Sequence, residues 1–443
     1  MTWESTKRDY TGGVFMLTKK RLLTLVLVFA LVLTTGAAAW ANSAIFWTAP
    51  NPPQEVFWTE MAKRFMAENP EYNIQVFPMA EAPSSEATIL TAIAGGTAPA
   101  ASENIFIGFG AELYESAALV PLDTLEGWDE LIAARNMEGA IKGWAFPDGH
   151  YYILPIYSNP ILYGWRIDIL EELGVDRIPE TYEEIIEVAR LAQKEGLFLM
   201  VRPALGMPTW WERWFDFFTL YNAISGDVPF ITGSEITADD EAVIDVFKFY
   251  ADLAKEKLIL TQDIPDAFAT DNAIWSELGP WTFPGWKEQY PEMVYGETFA
   301  LTMPPIPEHH KDDAAGNTFA DAKGLVLYAQ ASEEAKQAVW DFIRWVFADP
   351  AHDLLWMEAT SLPPVRDDLA DNPVFAEYLA KAPELVPYAE SLAFAVPPFT
   401  HSDFADIQTV LSEEGLIPVV RGTKSPEQAW EDAKAAINGI LNR

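Results

Sequence analysis

The segment from Phe146 to Gln193 restricts the fold more than any other part of the chain. A Pro147-Asp148-Gly149 turn leads into an apolar run of β type, Tyr151–Tyr157, and a Ser-Asn-Pro break separates it from a second such run at Ile161–Trp165. A short helix, Ile167–Leu173, is expected next, closed by Gly174, a residue that tolerates the left-handed conformation at a helix C-terminus. Pro179 ends the following loop, and Thr181 with Glu184 makes a capping box for an amphipathic helix. A chain that leaves one packed unit as an extended strand and at once begins a new α/β unit is crossing between domains.

The rest of the chain reads as α/β on both sides of that crossing. Ser43–Trp47 is a first strand, followed by a proline-rich loop, Thr48–Gln54. A helix from Glu55 to Asn69 carries Val56, Phe57, Met61, Phe65 and Met66 on one face, and Pro70 stops it before a strand at Tyr72–Phe77. This strand–helix–strand opening implies a parallel sheet with a right-handed crossover. A helix at Thr88–Ala94, ending in Gly95-Gly96, and a strand at Ile105–Phe109 are expected next. Past the crossing come a strand at Phe198–Val201, a Trp-rich loop from Arg202 to Trp214, and a helix over Thr237–Lys257 with Thr237 as N-cap. Asp271–Leu278 reads as a helix ended by Gly279, which would leave Trp281 just past a helix end. Strands at Phe299–Met303 and Gly324–Tyr328, a helix Glu333–Phe347 capped by Ser332, and a last helix after the capping box Ser425–Gln428 complete the chain.

The order and spacing of these stretches resemble the extracellular solute-binding proteins of ABC importers, in the sugar-binding branch that includes maltose-binding protein. In the crossing segment the matching residues are Asp148, Gly149, Tyr152, Pro155, Leu162, Tyr163, Asp168, Gly174, Pro179, Thr181, Tyr182 and Glu183, with Gly164-Trp165-Arg166 where an Asn-Lys pair is usual. Earlier, Leu90, Ala92, Ile93, Ala94, Gly96, Thr97 and Pro99 match, but Ala100 stands where the family has Asp and an extra Ala-Ser-Glu-Asn follows. Later, Phe268, Ala273, Gly279, Pro280 and Trp281 match a motif ending in Gly-Pro-Trp, and Trp356–Arg366 contains the expected Leu362-Pro363-Pro364. The resemblance runs from Ser43 to Leu441.

It implies an α/β, two-lobed periplasmic-binding-protein fold of type II, with hinge segments joining the lobes and the ligand cleft between them. Residues 44–154 plus 320–347 would form the N-terminal lobe, and 155–319 plus 348–443 the C-terminal lobe. The implied function is the extracytoplasmic solute-binding component of an ABC transporter. Such a protein captures a sugar or short oligosaccharide by lobe closure and delivers it, as a monomer, to a membrane permease with its own ATPase.

Composition agrees with export. Lys19, Lys20 and Arg21 precede an apolar core, Leu22–Leu33, and Ala39-Trp40-Ala41 follows as a cleavage site, so residues 1–41 read as a leader with its start at Met16. Mature protein would begin near Asn42, in the periplasm or outside the cell, and with no cysteine in the chain no lipid anchor is expected. The formal net charge of −37 is spread along the chain, which argues against nucleic acid and anionic membranes as partners. That acidity serves solubility or suits a saline or alkaline habitat, with steering of a cationic ligand as the sharper reading.

No GxSxG, HExxH, P-loop or GxGxxG occurs, and no cofactor is expected. His309 and His310 are neighbours in a charged loop with no other ligands at metal spacing, so no metal is expected either. The chain is rich in rings, with 17 Trp, 15 Tyr and 26 Phe. Open α/β sheets bind ligands beyond the carboxyl ends of their strands, and a sugar wants a flat aromatic against its C–H face and polar groups around its rim. The ring candidates are therefore Trp47, Phe109, Trp210, Trp211 and Trp281, with Tyr157 in the crossing. The resemblance puts Trp281 first. Polar candidates are Asn51, Glu81, Ser84, Arg202, Glu277, Asp321, Arg366 and Asp403.

Three alternatives remain open. A secreted carbohydrate-active enzyme would need a close carboxylate pair, and a surface adhesin would bind without closing. A non-sugar solute would make its own demands. A glycerol phosphodiester would want Arg202, Arg166 or Arg366 converging, and a polyamine would want carboxylates with an aromatic cage.

Overall fold

The computed structural model describes residues 42–80, 84–226, 228–312 and 316–443, so the leader lies outside it. β1 (Asn42–Thr48), α1 (Pro52–Glu68) and β2 (Tyr72–Pro78) form the expected βαβ unit, with the two strands parallel and paired from Asn42↔Tyr72 to Thr48↔Pro78. Prolines start α1, where their missing N–H costs nothing. Its Phe57, Trp58, Met61 and Phe65 are buried. Ser84 caps α2 (Ser85–Ala94) by accepting from the Ala87 N–H.

The next element differs from the sequence expectation. β3 is Ala101–Ile105, parallel to β1, and Ile107–Glu115 is a helix, α3. The extra Ala-Ser-Glu-Asn is thus most of the strand itself, which ends at Ile105, and Ile107, Gly108 and Phe109 of the expected strand belong to the helix after it. Small residues make that helix fit, since a Cβ on Gly110 would lie 2.4 Å from the Ile153 side chain.

The crossing strand β4 (Leu154–Pro160) is followed by β5 (Leu162–Arg166), the centre of a second sheet. Thr181 caps α4 (Tyr182–Lys194) as its capping box predicts. β6 (Met200–Val201) is shorter than expected, and α5 (Asp240–Lys255) starts from Asp239 rather than Thr237. Asp239 outcompetes Thr237 because its carboxylate accepts from both Glu241 and Ala242 N–H groups. β7 (Ile259–Leu260) pairs in parallel with β6.

A larger correction concerns Asp271–Leu278. It is no helix: β8 (Trp275–Leu278) runs antiparallel to β5, as does β9 (Phe299–Thr302) on the other side. Trp275 buries its ring face to face with Tyr163, centroids 4.2 Å apart. Trp281 accordingly stands before a helix, α6 (Thr282–Gln289), and not after one.

β10 (Thr318–Leu327) closes the frame. One half pairs antiparallel with β4, from Ala320↔Pro160 to Leu325↔Leu154, and its end pairs with β3 through Gly324↔Ile105 and Leu327↔Ala101. Gly324 sits where the partner changes, and a Cβ there would lie 2.4 Å from the Leu154 carbonyl oxygen. A third extended segment runs along β4, with Ser158 N–H donating to the Pro363 carbonyl and Val365 N–H to that of Ile156. α7 (Glu333–Phe347), capped by Ser332, packs on β1, and α8 (Pro350–Thr360) packs on α1, with Trp356 edge-on to Phe57.

Candidate functional site

The crossing strands have two unlike faces, as pleating requires. Tyr157 and Asn159 share one face with Asp321 and Lys323, through the cross-strand pairs Asp321↔Asn159 and Lys323↔Tyr157. Asn159 Nδ2 lies 3.4 Å from Asp321 Oδ2. The Tyr157 ring is buried and stacked on Trp356, and burial, then Asp321 and Glu103, push its hydroxyl well above the usual range. Ser158, Ala320 and Ala322 occupy the opposite face and line a cavity of about 1710 Å³, with Trp214, Phe218 and Phe399. Of the thirteen candidates among the described residues, Arg366 alone lines that cavity.

The polar face adjoins the carboxyl ends of β1 and β3. Glu103, wholly buried in β3, accepts the Ala49 N–H at 2.8 Å. Burial pushes its carboxyl up to about 7, with the Ala49 bond and Lys323 working the other way. Immediately after β3, Phe106 meets the rings of Phe404, Trp214 and Trp210 at 4.9, 5.3 and 5.9 Å. Trp210 in turn touches Phe404 and Trp211.

A wide π-helical turn over Trp214–Phe218 spreads these side chains, a geometry frequent at functional sites. Trp214 stacks on Phe319 of β10, while Phe215 stands edge-on to Trp281 at 6.0 Å. The indoles of Trp211 and Trp281 remain 47% and 44% exposed. Indoles this exposed at the edge of an aromatic cluster present an apolar wall to solvent.

Behind the wall lies a charged knot. Arg202 reaches Glu212 at 2.7 Å, Glu277 at 3.2 Å and Asp216 at 3.8 Å. Burial works against its charge and the three carboxylates outweigh it, so Arg202 stays protonated. Burial raises the Glu277 carboxyl despite Arg202. Asp216 also meets the fully buried Arg213 at 3.0 Å.

The candidates therefore separate. Trp210 and Trp211 meet each other, Trp281 meets Phe215 of the π-helical turn, and Arg202 holds Glu277, while Tyr157 and Asp321 share one face of the paired strands β4 and β10. Trp47 is half-buried in β1 opposite Phe77, and Asn51 is exposed ahead of α1. The side chain of Ser84 is engaged as a cap, and Asp403 uses its backbone N–H on His401 Nδ1 at 3.0 Å. Phe109 is only 1% exposed, on the buried face of α3 rather than at a strand end. Arg366 is buried in ion pairs with Asp353 and Asp368. Glu81 lies outside the described residues.

Phe106, Phe215, Phe404 and Glu212 were not among the candidates. Phe106 had a legible signal, a ring one residue beyond a strand, hidden by the misplaced strand. Phe404 is brought to the wall only by folding.

A sequence profile of the bacterial extracellular solute-binding proteins matches residues 60–383. The crystal structure of an uncharacterised protein from Listeria monocytogenes EGD-e is similar, with 43% identity and a TM-score of 0.86 over 90% of this chain and 100% of that one. The cyclic alpha-maltosyl-1,6-maltose binding protein from Arthrobacter globiformis shares the fold at 17% identity and a TM-score of 0.76, over 90% of this chain and 98% of that one. The sn-glycerol-3-phosphate-binding periplasmic protein of Escherichia coli K12 is 22% identical over 458 residues, covering 94% of this chain and 97% of its own.

Proposed function

This chain belongs to the bacterial extracellular solute-binding proteins, and on that premise we propose that it captures a sugar or short oligosaccharide between two hinged lobes for delivery to an ABC permease with its own ATPase. The observation that carries the sugar reading is the aromatic wall. Half-exposed Trp211 and Trp281, backed by Phe215 and Trp210, offer flat apolar faces, with the carboxylate of Glu212 close by for hydroxyl groups. The Arthrobacter relative, by its name, binds a cyclic maltosaccharide.

The Escherichia coli relative, by its name, binds glycerol 3-phosphate, and an anion would need an available guanidinium. Here Arg202 is held by Glu212 and Glu277, Arg166 by Asp168 and Asp271, and Arg366 by Asp353 and Asp368. A phosphate bound by any of these three guanidiniums would have to displace a carboxylate, which favours an uncharged ligand there.

Closure, in this reading, turns on β4, β10 and the extended segment at Pro363–Val365, between lobes at 44–154 with 320–347 and 155–319 with 348–443. The packing of α8 on α1 draws the last boundary towards residues 361–366. Ligand stabilises the closed form through contacts made only there. We place the mature protein, freed of its leader and without a lipid anchor, outside the cytoplasmic membrane as a monomer. Among the described residues no helix is long and apolar enough to cross a membrane.

The test is intrinsic Trp fluorescence with thermal shift against mono- and oligosaccharides, polyamines and phosphodiesters. One sugar should give a saturable emission change and a higher Tm with no product formed. Trp281→Ala should weaken that response at least about tenfold, or about 1.4 kcal/mol. A response to phosphodiesters alone, or consumption of the sugar, overturns the proposal.

A further inference from the structure

We propose that Glu241, Asp245, His309 and His310 form a binding site for a divalent transition cation of the zinc class, where α5 meets the loop leading into β10. Glu241 and Asp245 are four residues apart on α5 and so share one helix face. The two histidines lie in a short helical turn, Glu308–His310, laid against that face. His309 Nε2 is 2.9 Å and His310 Nε2 3.5 Å from the same oxygen, Asp245 Oδ2, and Glu241 Oε1 is 3.9 Å from His309 Nε2. One ligand atom from each of the four residues lies within 4.8 Å of all the others.

Two nitrogens and two carboxylate oxygens are a donor set that suits zinc, cobalt or nickel, whereas calcium and magnesium want oxygens alone. Ligand bonds of about 2.0–2.2 Å in a tetrahedron put donor atoms about 3.3–3.6 Å apart. Two of the His–carboxylate separations already lie near or inside that range. The 2.9 Å contact must lengthen and the longer ones shorten, which the exposed side chains of Glu241 and His309 allow, at 71% and 52% accessible.

The second observation is Asp245 itself. Its side chain is 8% exposed, and among the described residues Oδ2 receives no hydrogen bond of proper geometry although two ring nitrogens crowd it. A buried carboxylate oxygen in that condition calls for an explanation. A cation shared with the ring nitrogens supplies it. Lys248 Nζ, 3.6 Å from Oδ1, neutralises the other oxygen and leaves Oδ2 available. A bound cation would clamp the loop to α5 just ahead of Thr318, where β10 begins.

The experiment is a calorimetric titration of the chelator-treated protein with zinc chloride, paired with thermal scans. One cation per chain should bind saturably and raise Tm, and magnesium or calcium in excess should not compete. His309→Ala and Glu241→Gln, both at exposed positions, should fold with an unchanged metal-free Tm. Each should weaken zinc binding at least about tenfold, or about 1.4 kcal/mol. No saturable binding at millimolar zinc, or equal affinity in the wild type and both variants, overturns the proposal.

Discussion

The guanidinium of Arg135 and the carboxylate of Asp353 are both wholly buried, with Nη2 3.0 Å from Oδ1. Arg135 Nε donates to Asp353 Oδ2 at 3.3 Å, Nη1 and Nη2 also donate to the carbonyl oxygens of Pro155 and Ile156 at 2.6 and 2.7 Å, and the guanidinium carbon lies 4.0 Å over the Phe347 ring. Asp353 is shared with Arg366, whose Nη1 lies 3.1 Å from its other oxygen. This pair therefore ties α8 to the first residues of β4 and holds that end of the strand in place.

Removing one partner should leave a buried charge uncompensated. Asp353→Ala is expected to cost about 3–5 kcal/mol, read as a lower urea midpoint. Arg135→Met added to it should recover part of the loss, because the stranded cation is gone. A loss below about 1 kcal/mol in the single variant, the range of an exposed pair, would show that the pair carries no such role.

Trp281 lies over Gly279 so closely that a Cβ on the glycine would come within 2.1 Å of the indole. Gly279→Ala should turn the ring aside without removing it. We expect ligand affinity to fall about tenfold, about 1.4 kcal/mol, while the Tm of the free protein changes little. Full affinity in this variant would mean that the indole is not held for the ligand.

Glu103 carries a pH dependence whose sign follows from burial. Its carboxyl titrates at about 7 in the folded protein, against 4.5 in an ordinary setting. Below 4.5 both states hold the proton and burial adds no penalty. Between 4.5 and about 7 the unfolded chain ionises and the folded one does not, so stability falls as pH rises and levels off above that window. Glu103→Gln keeps an acceptor for the Ala49 N–H and removes the ionisation. It should be more stable than wild type at pH 8, by on the order of 3 kcal/mol, and indistinguishable at pH 4. Parallel stability–pH curves for the two proteins would refute this.

Part of the candidate site was legible in the chain. Gly279-Pro280-Trp281 and the Trp210-Trp211 pair end on the wall, and Asp321 and Tyr157 meet on the crossing strands, because each sits beside a local signal of strand end or crossover. Phe109 and Arg366 instead went into the core and a buried ion-pair network, since nothing adjacent in the chain records what packs over them.

By itself, the sequence determined the elements whose signals are neighbours in the chain: the βαβ opening and the caps at Ser332, Thr181 and Ser425, whereas the Ser-Asn-Pro expected to break β4 lies inside it, with Ile161 alone before β5. Capping bonds and apolar periodicity act over three or four residues. Tertiary structure alone decided the rest. Trp275–Leu278 became a strand because β5 offered an open edge and Tyr163 a ring to stack on, which outweighs local helical spacing. His309 and His310 gained Glu241 and Asp245 as neighbours only when α5 folded against their loop. Contacts between residues far apart in the chain arise from packing of whole elements, and no local pattern encodes them.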